Sequence, residues 1–326
     1  DWIGRDGLRI GWSEAPLTGP AAVDSLIGFL DAAGLNVLAS PPGQPLLADT
    51  APAPRRATPA PLPPWREALD RLGATSIRWF PVLRLGGPDQ PCVLDDSLWS
   101  GIVAPAVRVI AERARTRGGP IAGVTFAVAP ATRDAAPPEL CDANLRASLR
   151  RMGRDTAWIE RLVGLPLAAR YDALLEEGAL DGYFVALEAE LASRAARLAR
   201  AARQRAPALL FALWTSDPPA DWRGFGLARG LGVDGGAVLL WDAEPVPGAL
   251  LAAYRRRSVR PVHVIQLRPE QVPPRSWARL HAAVFDSSAG FWIGPIETVM
   301  TAPRTAAGPL PADSLERLLR RLVQQR

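Results

Sequence analysis

Lysine is absent from this chain: all 38 basic side chains among its 326 residues are arginine. A GxxxxGK[ST] phosphate loop is therefore excluded, since its lysine is what reaches the nucleotide phosphates. Cysteine is nearly absent. Cys92 and Cys141 form no CxxC pair, which excludes a zinc site made of thiolates. His263 falls in a predicted strand and His281 in a predicted helix, with no matching ligands beside either, so neither a metal nor a cofactor is expected. No GxSxG elbow supplies a serine nucleophile. No apolar run approaches the roughly 18 residues that a membrane helix needs, so no membrane span is expected. The run Gly224-Phe-Gly226-Leu-Ala-Arg-Gly230 has one residue too many for a dinucleotide fingerprint and lies inside a helical pattern. Its glycines read as close helix packing.

Hydrophobic residues make up 48% of the chain, enough for a large core, and the net charge is +5. A basic chain invites a nucleic-acid reading. Here the arginines are spread along helices, as at Arg194, Arg197, Arg200, Arg203 and Arg205, which fits a solvated helix face better than a groove. No nucleic-acid partner is expected. The chain starts at Asp1, not Met, either because a signal peptide was removed or because the chain was trimmed. The first alternative predicts an exported, periplasmic or extracellular protein.

Short apolar, β-rich runs alternate singly with helical patterns. The predicted strands are Leu8–Ser13, Leu35–Ala39, Ser76–Leu83, Ile121–Val128, Ala208–Trp214, Ala237–Trp241, Val262–Gln266 and Gly290–Ile293. The intervening helices are Ala21–Ala33, Pro64–Leu72, Asp96–Arg117 with a kink at Pro105, Asp221–Leu231, Gly248–Arg257, Pro274–Phe285 and Ala312–Gln325. Eight such units imply a parallel sheet closed into a (β/α)8 barrel, an α/β fold spanning residues 1–326. An open, doubly wound sheet is the alternative. Two excursions break the rhythm. Pro41–Pro64 is rich in Ala and Pro and reads as an extended loop. Residues 130–180, between strands four and five, read as a helical cap with helices Glu139–Met152, Asp155–Leu162 and Leu167–Glu177. The long helix Gly182–Arg205 then takes the place of barrel helix four, with Tyr183, Leu187, Leu191 and Leu198 as its core-facing stripe.

Both excursions leave C-terminal strand ends, the side of a barrel that carries function. Cys92 and Cys141 fall in neighbouring loops at that end, and a disulfide between them would suit an oxidising compartment; two free, inert thiols are the alternative. Tryptophans and acids gather at the same end: Trp12 with Glu14, Trp214 with Asp217, Trp241 with Asp242 and Glu244, and Trp292 followed by Glu297, with Arg84, Gln266 and Arg268 nearby. Indoles stack on the apolar faces of sugar rings, while carboxylates and guanidinium groups hydrogen-bond the hydroxyls. The competing reading is that each indole simply plugs the barrel. Glycoside cleavage needs two carboxylates. Asp242 and Glu244 are two residues apart, with Cα atoms about 6.6 Å apart in a strand, and are the candidate catalytic pair, with Glu14 as substitute. A capping role is the alternative for Asp242.

The stretches GVTFAVAP, LCDANLRASLRRMG, YDALLEEGALDGYFVALEAELASRAARLA and ALLFALW resemble exported bacterial glycoside-hydrolase-like barrels in order and spacing, over roughly residues 120–245. The resemblance implies a carbohydrate-active barrel with carbohydrate as its partner. One position departs from it. Many barrel glycosidases carry an acid at the end of strand four, where this chain has Ala127-Val128-Ala129-Pro130 and no acid before Asp134. A glycosidase acting on a bacterial polysaccharide is the first expectation, and a non-catalytic carbohydrate-binding or scaffolding barrel the second. A phosphate-handling barrel using Arg268, Arg304 and Gly308 is the third.

Overall fold

The computed structural model describes residues 7–15, 20–42, 64–85, 91–116, 118–128, 138–215, 221–242, 248–267 and 288–297. Helices Pro274–Phe285 and Ala312–Gln325, most of the Pro41–Pro64 loop, and Asp217, Glu244 and Arg268 lie outside them.

Eight strands run in chain order and close on themselves: β1 (Leu8–Trp12), β2 (Val37–Ser40), β3 (Arg78–Leu85), β4 (Gly123–Val128), β5 (Leu210–Thr215), β6 (Ala237–Asp242), β7 (Arg260–Gln266) and β8 (Gly290–Ile293). Every neighbouring pair is parallel, and β1 pairs with β8 over Leu8–Gly11 and Gly290–Ile293. The protein is therefore a closed (β/α)8 barrel, not an open sheet. The helices between strands are α1 (Pro20–Ala32), α2 (Pro64–Gly73), α3 (Ala104–Ala114), α4 (Asp142–Arg151), α5 (Thr156–Val163), α6 (Leu167–Glu176), α7 (Leu180–Arg205), α8 (Trp222–Leu231) and α9 (Gly248–Arg256).

Strand alternation splits the core in two. Leu8, Ile10, Trp12, Val37, Ala39, Phe80, Val82, Ala127, Ala212, Leu239, Trp241, Val264 and Trp292 fill the barrel interior. The intervening positions, such as Leu38, Leu83, Val124, Leu213 and Leu240, pack against the helices. The interior is filled by a few large rings set beside small residues. A Cβ on Gly123 would come within 2.1 Å of the Phe80 ring, so the missing side chain on β4 makes room for the phenyl group of β3.

Several element bounds differ from the sequence expectation by one or two residues, and two differences have a clear physical cause. The helix expected over Asp96–Arg117 is broken in pitch. A widened π turn, Leu98–Val103, runs into α3, and Pro105 sits in the first turn of α3. Proline has no N–H to donate, so it is tolerated there and the regular ladder begins at that point. Strand β3 is shifted two residues toward the C-terminus, because it pairs Arg78 with Val37 and Pro81 with Ser40.

Between β4 and β5 the insertion α4–α6 leads into α7. Arg170 on α6 is buried and donates to the carbonyls of Leu140 (2.7 Å) and Leu165 (3.0 Å), with Asp142 at 2.8 Å as counter-ion. Cys92 and Cys141 are joined by a disulfide, 49 residues apart in sequence, which ties the segment before α3 to the start of α4. Closing a loop of that length removes about 4 kcal/mol of chain entropy from the unfolded state. The Gly224–Gly230 run lies in α8 against α7. A Cβ on Gly230 would meet Ala192 O at 2.4 Å and Ala195 Cβ at 2.5 Å, so these glycines serve close helix packing.

Candidate functional site

The C-terminal end of the barrel gathers three indoles. Trp12 ends β1, Trp214 lies near the end of β5 and Trp292 is on β8; strand alternation turns all three inward. Trp12 and Trp214 stack with centroids 4.6 Å apart and planes 21° from parallel. Trp292 lies 6.3 Å from each. Trp241, on β6 beside Trp214 in register, packs lower, 5.7 Å from Phe80.

Their burial divides them. Trp12, Trp241 and Trp292 are 3%, 0% and 3% exposed, so they fill the barrel and do not present a face to solvent. Trp214 alone of the four is half-buried. Trp12, Trp241 and Trp292 thus pack within the barrel interior, and Trp214 is the indole of the four with the most accessible surface.

The carboxylate best defined at this end is Glu297, just after β8. It accepts a short hydrogen bond from the Ser13 hydroxyl and longer ones from the backbone N–H of Ala15 (3.3 Å) and Glu14 (3.4 Å). The turn after β1, which follows Trp12, thus fixes the acid that follows β8. Glu14 follows Ser13 on this turn, and its side chain is exposed. Ser13 was not singled out in the sequence. Its partner is 284 residues away, a separation at which no periodicity or spacing carries a signal.

The remaining sequence candidates sit around the same rim. Arg84 is exposed on β3, in register with Ala127. Gln266 is half-buried at the end of β7, opposite Trp292. Asp242 ends β6, one position past Trp241, with its backbone in register with Thr215 and Ile265. Among the described residues, no group of three or more His, Cys, Asp or Glu is placed to hold a metal ion. No helix among them is long and apolar enough to cross a membrane. His263, on β7, has its imidazole held below the ordinary value by burial.

No protein-family model matches the chain, and no curated protein matches it by sequence. Solved structures do match it in fold. A β-galactosidase from Bacillus circulans sp. alkalophilus superposes with a TM-score of 0.58 at 11% identity, over 98% of this chain and 56% of that one. A β-galactosidase from Halorubrum lacusprofundi gives 0.56 at 12% identity, over 98% and 58%. A β-mannanase from the blue mussel Mytilus edulis gives 0.51 at 11% identity, over 98% and 92%. The chain spans less than two thirds of the length of those β-galactosidases. At such identities the likeness is one of fold: a barrel of the kind these glycoside hydrolases use.

Proposed function

We propose that this chain is a carbohydrate-active barrel of the glycoside hydrolase type, working on a bacterial poly- or oligosaccharide. The observation that carries the proposal is Glu297, a carboxylate fixed by Ser13 and two backbone amides on the turn that follows Trp12, itself one of three clustered indoles. A carboxylate oriented by three donors is prepared to face one reacting centre. The half-buried Trp214 is the stacking platform for a sugar ring, backed by Trp12. Arg84, Gln266, Asp217 and Arg268 serve the hydroxyls.

Hydrolysis needs a second carboxylate. Glu14 sits on the turn after β1 and its backbone N–H donates to Glu297, and Asp242 ends β6. That shared turn favours Glu14 and Glu297 for the work. Helices α4–α6 are the proposed cap of this site. The Cys92–Cys141 disulfide supports an exported, oxidising location.

Reducing-end release from a polysaccharide panel tests the proposal, using the wild type with Glu14→Gln, Glu297→Gln, Asp242→Asn and Glu244→Gln. Turnover by the wild type, lost by a factor on the order of a thousand in two of the four variants, is the expected result. A second reading, binding without turnover, is favoured by one observation: β4 ends in Ala127 and Val128, with no acid. Saturable binding with no turnover in the wild type would select that reading.

A further inference from the structure

We propose that a groove between α3 and α7, on the outside of the barrel, is a docking site for α6 of a second copy of this chain. The inference is independent of the carbohydrate reading and concerns a different surface.

The groove encloses about 520 Å³. Its floor is apolar, made by Trp99 of the widened turn, Ala104 and Val107 of α3, and Leu198, Ala201 and Ala202 of α7. Its walls are basic, with Arg108 from α3 and Arg194, Arg197 and Arg205 from α7, against the single carboxylate of Asp96. Arg194 is paired with Asp96 (2.6 Å) and Glu190 (3.2 Å), and Arg205 has Glu112 at 3.9 Å. Arg197 is exposed and donates to Ser193 of its own helix. Arg108 is exposed and makes no ion pair among the described residues. The other arginines of this stretch of α7 turn away. Arg200 pairs with Asp234, and Arg203 donates to the carbonyls of Leu231 and Val233.

A ligand that fits needs an apolar stripe with acids along its length. Arg194 and Arg205 mark out about 16 Å of α7. Helix α6 has ten residues and is about 15 Å long. Its exposed positions Ala168, Tyr171, Asp172, Leu175 and Glu176 recur at the spacing of one helix face. Tyr171 and Leu175 are 44% and 57% exposed, and Asp172 and Glu176 make no ion pair among the described residues. Leu174 and Arg170, on the opposite face, are buried against their own chain, so the outer face is held on a fixed support. Among the described residues the exposed large hydrophobic side chains are Ile102, Tyr171, Leu175 and Val185. Two of them belong to this face of α6, and Ile102 lies in the widened turn between Ser100 and Ala104, which line the groove.

Shape and charge together select the occupant. A lipid surface is flat and does not reach a floor set between two helices. An anionic polysaccharide carries no apolar stripe to cover that floor. An amphipathic helix with acids beside its apolar residues meets both demands, docking as a helix in a groove. The chain itself carries one of matching length and opposite charge.

The test is sedimentation analysis of the whole, unreduced chain from roughly 1 μM to 1 mM, where an interface of one helix and one groove is expected to associate. The mean mass should rise above that of one chain with concentration, and should rise less in high salt. Arg108→Glu with Arg197→Glu, and separately Asp172→Arg with Glu176→Arg, should each weaken association by about tenfold or more. An equal mixture of these two variants should associate again, because every groove then meets a helix of opposite charge. Melting curves confirm folding. Where a reversal does not fold, Arg108→Gln with Arg197→Gln, or Asp172→Asn with Glu176→Gln, replaces it and should weaken association in the same direction. A wild type at the mass of one chain throughout the range, or a mixture that stays apart, would overturn the inference. So would loss of association in one variant and not the other, since one surface would then meet something other than its proposed complement.

Discussion

An indole inside a barrel either fills space or recognises a ligand, and its neighbours decide which. Trp241 rests on Phe80 at full burial and fills space; Trp214, stacked on Trp12, is only half-buried. His263 gives a test at this scale. Burial holds its imidazole below the ordinary 6.5. Above roughly pH 6.5 neither the folded nor the unfolded ring is charged, and its contribution to stability is complete. As the pH falls below that, the unfolded ring takes up a proton that the folded ring refuses, and stability is lost. Melting temperatures of wild type and His263→Gln, compared between about pH 8 and pH 5, should show the wild type losing ground to the variant only on the acid side. A constant difference would contradict this. At the residue scale the sequence is only partly legible. Alternation identifies which positions face inward, so Trp12, Trp214 and Trp292 are found together as expected. It carries no information on which rings stack across the barrel, and so could not separate the buried indoles from the half-buried one.

At the scale of elements, close packing of α7 on α8 makes a sharp prediction. Alanine is normally a better helix residue than glycine by about 1 kcal/mol. In α1, a Cβ on the exposed Gly28 meets nothing within 4 Å, so Gly28→Ala should stabilise the protein by roughly 0.5–1 kcal/mol. In α8, Gly230→Ala should instead destabilise it by about 1–3 kcal/mol, because the added carbon collides with the backbone of α7. Denaturant unfolding of the two variants checks the opposite signs; a gain for Gly230→Ala would mean the helices are not packed as described. Elements were legible where pattern and punctuation agree. Strand β8 has the bounds read from the sequence, since it is a short apolar run entered at Gly290 and left at Gly294. Strand β3 does not, because its start is fixed by pairing with β2 and not by its own residues. Pro105 announced a break in a long helix, but whether that break is a kink or a new start depends on the widened turn before it.

For the whole molecule, eight strand–helix units already implied closure, and the β1–β8 ladder provides it. Closure brings Ser13 and Glu297, near opposite ends of the chain, into one hydrogen bond, and so assembles a site that no local stretch contains. The account therefore depends on the mouth of the cylinder being a saccharide site built around Trp214. Titration calorimetry of a broad oligosaccharide panel against wild type and Trp214→Ala tests this most directly. The account predicts that at least one saccharide binds the wild type and binds the folded variant about tenfold or more weakly. Absence of binding across the panel, or a variant that binds as the wild type does, would contradict it.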